Sequence, residues 1–164
     1  DQNNNFILNK YLDFKNLIKA VTFVHNHGIF GIEKSIEDSK ILGAIEYIYK
    51  NYPTDKLEHI IEKIHLKIAI LFLKKKRKNN IIPCDVINTS LHIMPNGDVK
   101  PCMFMESLGN LREQKIDQII YNKNTDNVKK QIKKNNCPKC WMNCYSPHSI
   151  MQHPLKSIYN YILK

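Results

Sequence analysis

The sequence predicts an α+β protein built from two parts. Residues 1–80 contain no cysteine and repeat apolar residues at helical spacing. From residue 83 onward the pattern changes to β-prone segments around a tight turn, followed by further short helices. We therefore expect a mainly helical region over residues 1–80 and a small hairpin-plus-helix domain over residues 81–164. A length of 164 residues is sufficient for this arrangement.

Three helices are predicted in the first part. Apolar residues recur on one face over residues 14–24 and again over residues 41–52, where Pro53 ends the pattern. A third helix begins near Thr54 or Asp55, either of which can cap its first turn. The residues expected to face the core from this third helix are Leu57, Ile60, Ile61, Ile64, Ile68 and Leu71.

A β-hairpin is predicted at the start of the second part. Residues 87–94 are β-prone, residues 96–98 form a tight Asn-Gly-Asp turn, and residues 99–104 form the return strand. Residues 108–111 then make a turn into a helix, and residues 155–163 form a final short helix. All the cysteines lie in this part of the chain or at its start.

The chain is strongly basic. It has 25 Lys and Arg residues against 15 Asp and Glu residues, which gives a formal net charge of +10. The one dense basic run, residues 74–78, follows a helical pattern. We interpret it as a solvated helix end whose cations complement the helix dipole, rather than as a phosphate-binding patch. Nucleic acid is therefore not an expected partner.

Membrane association is not expected either. The longest apolar run, residues 68–73, is far shorter than the roughly 20 residues needed to cross a bilayer. We expect a cytoplasmic protein. The chain begins at Asp1 without a Met or an apolar secretion segment, so we expect it to be a piece of a longer protein.

The cysteines carry the clearest chemical signal. They are Cys84, Cys102, Cys137, Cys140 and Cys144. Their odd number and wide spacing are not typical of a small disulfide-bonded framework, so a metal centre is the better interpretation. Cys137 and Cys140 form a two-residue knuckle, and the hairpin can bring Cys84 and Cys102 to the same place. On ligand type alone, four thiolates suit zinc and an iron-sulfur cluster equally well.

Four short motifs occur in order around these cysteines. A Cys at position 84 precedes residues 95–102, which read Pro-Asn-Gly-Asp-Val-Lys-Pro-Cys. A Leu-Gly-Asn turn follows at residues 108–110, and a Cys-x-x-Cys closes the set at residues 137–140. This order resembles the SPASM and twitch domains of radical S-adenosylmethionine enzymes, whose hairpin has the form Pro-x-Gly-x-Val-x-Pro-Cys. The resemblance spans residues 83–146.

The resemblance implies an auxiliary iron-sulfur domain of the shorter, one-cluster twitch type. The full family pattern continues with more cysteines that hold two auxiliary clusters, whereas here only Cys144 follows Cys140. Five thiols cannot complete two four-cysteine clusters. The ligands implied for a single 4Fe-4S cluster are Cys84, Cys102, Cys137 and Cys140. The remaining Cys144 is either a small buried residue or a replacement for one of these four.

Other side chains near the cysteines receive supporting roles. Trp141 and Tyr145 lie beside the last cysteine, and we expect them to pack over the cluster and limit its exposure to water. His92, His148 and His153 are not assigned as ligands, because a scattered histidine is more often an ordinary core or surface residue.

In this family the radical chemistry belongs to a separate partial α/β barrel, whose Cys-x3-Cys-x2-Cys motif binds the cluster that cleaves S-adenosylmethionine. No cysteine precedes Cys84, so the chain lacks that motif and is not expected to be catalytic alone. The resemblance implies an upstream core domain as partner and a peptide or small molecule as substrate. The auxiliary cluster would then transfer electrons or anchor the substrate, and the helices of residues 1–80 would be the end of the barrel.

The residues alone are also compatible with a different class of protein. In this alternative the same four thiolates bind zinc and only hold the hairpin and the knuckle together. The chain would then be a zinc-stabilised binding module with a basic surface. Zinc is colourless, whereas an iron-sulfur cluster absorbs broadly in the visible.

Overall fold

The structure, a computed structural model, describes residues 37–76 and 78–163 together with Lys10. Its elements in chain order are α1 (Asp38–Asn51), α2 (Leu57–Lys74), β1 (His92–Ile93), β2 (Asp98–Lys100), β3 (Gly109–Asn110), α3 (Ile116–Ile120), α4 (Lys123–Lys133), α5 (Ser146–Gln152) and α6 (Pro154–Leu163). Helices thus combine with a small antiparallel sheet, which confirms the predicted α+β class.

Three of the predictions for the first part are not tested. The predicted helix over residues 14–24 lies outside the described residues. The interpretation of residues 1–80 as the end of a barrel, and the domain boundary at residue 80, stay predictions. In the part of the chain that the structure describes, no helix is both long enough and apolar enough to cross a membrane.

Helix α1 confirms the second predicted helix. Ile45, Ile48 and Tyr52 are buried against the neighbouring helix, as their spacing requires. Tyr52 has left the helix and is extended, with φ −72° and ψ 134°. The cause is Pro53, because a residue that precedes proline is disfavoured in the helical region.

Helix α2 is the central element of the helical region. α1, α5 and α6 all pack on it, so Leu66, Ile68 and Phe72 have no exposed surface. The predicted inward face is correct for Ile64 and Ile68 and wrong for its first turn. Leu57 is 70% exposed and Ile60 38%, whereas His59 of the same turn is buried against Tyr52, so a polar residue takes the inward position.

The two ends of α2 differ in how well the sequence predicts them. No side chain caps its start, where Lys56 is the N-cap. The predicted cap residue Asp55 instead contacts His59, with its Oδ1 2.8 Å from the ring Nδ1. At the other end the predicted basic terminus is confirmed, since the helix stops at Lys74 and Lys76 adopts φ +50°.

The predicted hairpin is present but shorter than expected. β1 and β2 pair antiparallel, with Ile93 opposite Val99. β3 adds a third strand at a position where the sequence predicted a turn, and it places Gly109 opposite Val99. The N–H of Leu108 donates to the Val99 carbonyl at 2.7 Å, and Asn110 Nδ2 donates to Asp98 Oδ1 at 3.0 Å. These contacts convert the expected turn into a sheet edge.

The basic stretch after the sheet forms helix α4, which the sequence analysis did not predict. Its N-cap is Asn122, whose side chain accepts the Thr125 N–H at 2.8 Å. The Thr125 hydroxyl donates to the Ile119 carbonyl of α3 at 2.6 Å and so fixes the two helices together. Asn-x-x-Thr at the start of this stretch was therefore a usable helix signal.

Two hydrophobic clusters organise the described chain. One joins α1 and α2 with Ile82, Ile150 and Trp141. The other lies beneath the sheet, where Val99 and Ile119 are fully buried and every cysteine except Cys144 belongs to the cluster. The Trp141 Nε1–H donates to the His65 carbonyl of α2 at 3.0 Å, and the next residue, Met142, belongs to the second cluster.

Replacing two glycines should separate turn strain from helix propensity. Gly97 has φ +92°, and an added Cβ would lie 2.7 Å from Asn110 Oδ1. We expect Gly97→Ala to reduce the free energy of unfolding by about 1–3 kcal/mol. Gly43 lies in α1 with no atom within 4 Å of an added Cβ, so Gly43→Ala should stabilise by about 0.5–1 kcal/mol. Urea unfolding of both variants checks this, and a stabilised Gly97→Ala protein would contradict it.

Candidate metal centre

Three separate segments bring the cysteines together. Cys84 follows the short connection that leaves α2, Cys102 follows strand β2, and Cys137 follows helix α4. Cys140 and Cys144 lie in the loop between α4 and α5. The sheet and the helices of the second part therefore determine where each thiol lies.

Four of the five thiols line one enclosed cavity of about 20 Å³. They are Cys84, Cys102, Cys137 and Cys140. Apolar side chains, including Val86, Phe104 and Ile132, complete most of the wall. The cysteines proposed as ligands from the sequence therefore share one cavity, although their role as ligands stays a prediction.

Burial raises the pKa of three thiols of this cavity, those of Cys84, Cys102 and Cys140. Burial raises the pKa of Cys84 to about 11, and the neighbouring Cys137 and Cys102 add to the shift. Burial also raises the pKa of Cys140, and all four other cysteines act in the same direction. Such mutual effects require the sulfurs to lie near one another. A bound metal would reverse this preference, because its positive charge favours thiolate ligands.

Backbone N–H groups already point at two of the sulfurs. The Val86 N–H donates to Cys84, and the N–H groups of Phe104 and Met105 donate to Cys102. These hydrogen bonds oppose the effect of burial and favour the charged thiolate. Hydrogen bonds to sulfur are also one of the factors that set the potential of an iron-sulfur cluster.

The knuckle between Cys137 and Cys140 has a specific backbone shape. Lys139 adopts φ +55°, which turns the chain so that the two cysteines face the same cavity. Asn135, at φ +57°, ends the preceding helix, and its N–H donates to the Ile132 carbonyl at 3.0 Å. The Asn135 side chain in turn accepts the Asn80 N–H at 3.0 Å, which joins the knuckle to the segment before Cys84.

Tyr145 packs against the cysteines, as the sequence predicted, and also makes a contact that it did not. Its side chain lines the cavity and is only 5% exposed. Its hydroxyl accepts the Met103 N–H at 3.3 Å and lies 2.5 Å from His92 Nε2. Because the hydroxyl accepts from Met103, its proton is available to His92. His92 thus holds the loop against the hairpin, a role that no sequence pattern indicated.

Trp141 occupies a different place from the one expected. Its ring stacks on His65 of α2 at 5.5 Å, and it is absent from the wall of the four-cysteine cavity. It lines a neighbouring small space together with Cys84 and Cys140. Trp141 therefore contributes to the region by anchoring the loop on α2.

Two of the remaining candidates have defined surroundings. His153 Nε2 lies 2.6 Å from a carboxylate oxygen of Asp85, the residue after Cys84. Cys144 is exposed and is not part of the cavity wall, but it lies close enough to Cys102 and Cys140 to affect their pKa values. It remains a candidate for the spare thiol.

The thiols are not yet arranged as metal ligands. Among residues 37–76 and 78–163, no three His, Cys, Asp or Glu side chains are grouped so that they could hold one metal ion. A zinc ion would draw its sulfur ligands to about 2.3 Å from one point, and a cluster would spread them over several metal atoms. The thiol side chains would have to move for either centre.

Comparison with known families identifies the segment that contains this cavity. Residues 84–145, which contain the four thiols of the cavity, match the SPASM family, an iron-sulfur cluster-binding domain. The match includes all five cysteines and confirms the resemblance for this segment, which is less than half of the chain. Among curated proteins and among solved structures, none matches the chain significantly.

Alkylation of the metal-free, reduced protein should reveal the order of thiol reactivity. The thiolate is the reactive form, so the exposed Cys144 should react with iodoacetamide well before Cys84 and Cys140 at pH 8. The rate at Cys84 should rise about tenfold per pH unit until its thiol ionises near pH 11. Mass spectrometry of each cysteine peptide measures this, with urea-unfolded protein as control. Equal alkylation rates at Cys144, Cys84 and Cys140 in the folded protein would contradict the burial of Cys84 and Cys140.

Proposed function

We propose that residues 84–145 hold a 4Fe-4S cluster through Cys84, Cys102, Cys137 and Cys140, and that this is the auxiliary cluster of a radical S-adenosylmethionine enzyme. The observation that supports it is the lining of one cavity by four thiols inside an iron-sulfur cluster-binding segment. The remaining cavity wall is largely apolar, which limits access of water.

The four cysteine thiols suit a 4Fe-4S cluster, but the cavity between them must widen to hold it. Four cysteine thiolates are the usual ligands of a 4Fe-4S cluster. The cavity of about 20 Å³ is near the size of a single water site, so the thiol side chains must rotate outward to receive four irons. The loop that carries Cys137 and Cys140 has few backbone hydrogen bonds of its own, so it is the part best able to adjust.

The chain's own residues would then control the environment of the centre. Val86, Phe104 and Met105 supply N–H donors to two sulfurs. Tyr145 covers the cavity and is held in place by Met103 and His92. When bound, the cluster supplies one-electron redox chemistry. A complete set of four cysteine ligands leaves no iron position for a substrate, so electron transfer is the favoured role over direct anchoring.

The rest of the enzyme must come from outside these residues. No cysteine precedes Cys84, so an upstream core domain would supply the Cys-x3-Cys-x2-Cys motif and cleave S-adenosylmethionine. The substrate would be a peptide or a small molecule, bound largely by that domain. Five unpaired cysteines also suit a reducing, cytoplasmic environment.

A zinc-stabilised module is the competing function. The basic surface and the four thiols favour it in general terms. The match of residues 84–145 to an iron-sulfur cluster-binding domain argues against it. The zinc, iron and acid-labile sulfide content of the purified protein distinguishes the zinc module from the iron-sulfur domain.

Anaerobic reconstitution should give about four irons and four acid-labile sulfides per chain. Cys102→Ala should lower this content sharply, because it removes a ligand, whereas Cys144→Ala should leave it unchanged. Iron and sulfide assays with visible absorption measure the result. In the loaded protein only Cys144 should still react with iodoacetamide. Stoichiometric zinc without labile sulfide would reject the cluster, and loss of the cluster in Cys144→Ala would reject the ligand assignment.

Activity should divide between the two domains. Residues 1–164 alone should release no 5'-deoxyadenosine under reducing conditions, because they lack the core motif. In the full enzyme, Cys102→Ala should leave the core cluster assembled and impair formation of the modified product. The measurement is 5'-deoxyadenosine and product quantified separately, with Cys144→Ala as control. Release of 5'-deoxyadenosine by this chain alone would contradict the division.

A further inference from the structure

Asn80 lines the four-cysteine cavity with a side chain whose oxygen is unpaired within the described part of the chain. Its Oδ1 is buried, and no group among residues 37–76 and 78–163 donates to it. Leaving a buried acceptor unsatisfied costs about 1–3 kcal/mol, so folded proteins rarely retain such a group without a reason. Asn80 also lines the neighbouring small space that contains Cys84 and Cys140. An unused polar group thus lies beside the thiols.

The backbone of Asn80 is held on both sides. Its N–H donates to Asn135 Oδ1 at 3.0 Å, which joins it to the end of α4 just before the knuckle. The next two residues, Ile81 and Ile82, are buried in the helical cluster. The side chain is therefore the part of Asn80 that can adjust. The last torsion of an asparagine side chain is broad and roughly two-fold, so the amide can exchange its oxygen and nitrogen at little cost.

We propose that Asn80 donates a hydrogen bond from its side-chain amide to the iron-sulfur cluster of this cavity and thereby raises the reduction potential of the cluster. The inference rests on the proposed function of residues 84–145. Hydrogen bonds to the sulfurs are among the factors that set the potential of such a cluster. Reduction adds one electron and so increases the negative charge, which a hydrogen-bond donor stabilises. The amide stays neutral, and the hydrogen bond moves no proton.

The other polar groups around the cavity are already engaged. Backbone N–H groups donate to the sulfurs of Cys84 and Cys102. The hydroxyl of Tyr145 is engaged with the hairpin. Lys139 also lines the cavity, and its charge is unchanged by a substitution at residue 80. Among the described residues that line the cavity, Asn80 thus supplies the neutral side-chain donor that is still available.

Redox titration of the reconstituted chain tests this hydrogen bond. Residues 1–164, loaded with iron and sulfide without oxygen, are reduced stepwise with dithionite while the visible absorption of the cluster is recorded. Asn80→Leu keeps the branched shape of the side chain but removes the amide. We expect it to lower the equilibrium constant for one-electron reduction about tenfold, which lowers the potential by about 59 mV. Asn80→Val also lacks the amide, has a smaller side chain, and should shift the potential in the same direction.

Asn79→Leu is the matched control. Asn79 is the preceding residue, is exposed, and is not part of the wall of the four-cysteine cavity. Removal of its amide should change the equilibrium constant for reduction less than about twofold. Circular dichroism verifies that each variant is folded, and iron and sulfide assays verify that each carries the cluster.

The outcomes separate this hydrogen bond from the cluster itself. Equal potentials of the wild type and Asn80→Leu, or an equal shift in Asn79→Leu, would overturn the hydrogen bond and leave the proposed cluster in place. A higher potential in Asn80→Leu would also reject it, because the amide oxygen would then face the cluster. Loss of the cluster or of the fold in both variants at residue 80 would assign Asn80 a structural role instead. A wild-type chain that binds no iron and sulfide would reject the proposed function and this inference together.

Discussion

The packing of Trp141 on α2 is the interaction on which the arrangement of the cysteine loop depends. Its indole N–H bonds to the His65 carbonyl and its ring stacks on the His65 side chain. Ser146, at the start of α5, contacts the same histidine, with its Oγ 2.6 Å from Nδ1. The loop that contains Cys140 is therefore held at its C-terminal end against the buried helix α2. At the other end, the Asn135 side chain accepts the Asn80 N–H, so the knuckle is fixed on both sides.

Local signals were sufficient to predict the hairpin and most helices. Asn96-Gly97 marks a turn by its own conformational preferences, and Pro53 ends α1 wherever the rest of the chain lies. Strand β3 could not be predicted from local signals, because Gly109 is part of a strand only through its pairing with Val99. The inward face of the first turn of α2 was also missed, since the spacing of apolar residues does not reveal that the polar His59 is the residue buried there.

The candidate metal centre could likewise be predicted only in part. The four thiols could be selected from the sequence, because few side chains bind soft metals and their order matches a known family. The side chains that position these thiols could not be predicted from the sequence. His92 and Tyr145 are 53 residues apart, and Trp141 lies 76 residues from His65. These pairings join ordinary residues whose roles arise only when the sheet and α2 are in place.

The wide spacing of the cysteines has a consequence for the entropy of the chain. The segment from Cys102 to Cys137 is about twice as long as that from Cys84 to Cys102. Because the cost of closing a loop grows only with the logarithm of its length, this doubling adds only about 0.6 kcal/mol. A centre that bound all four thiols would thus cross-link long loops, and the α3–α4 segment between Cys102 and Cys137 could change in length at little thermodynamic cost.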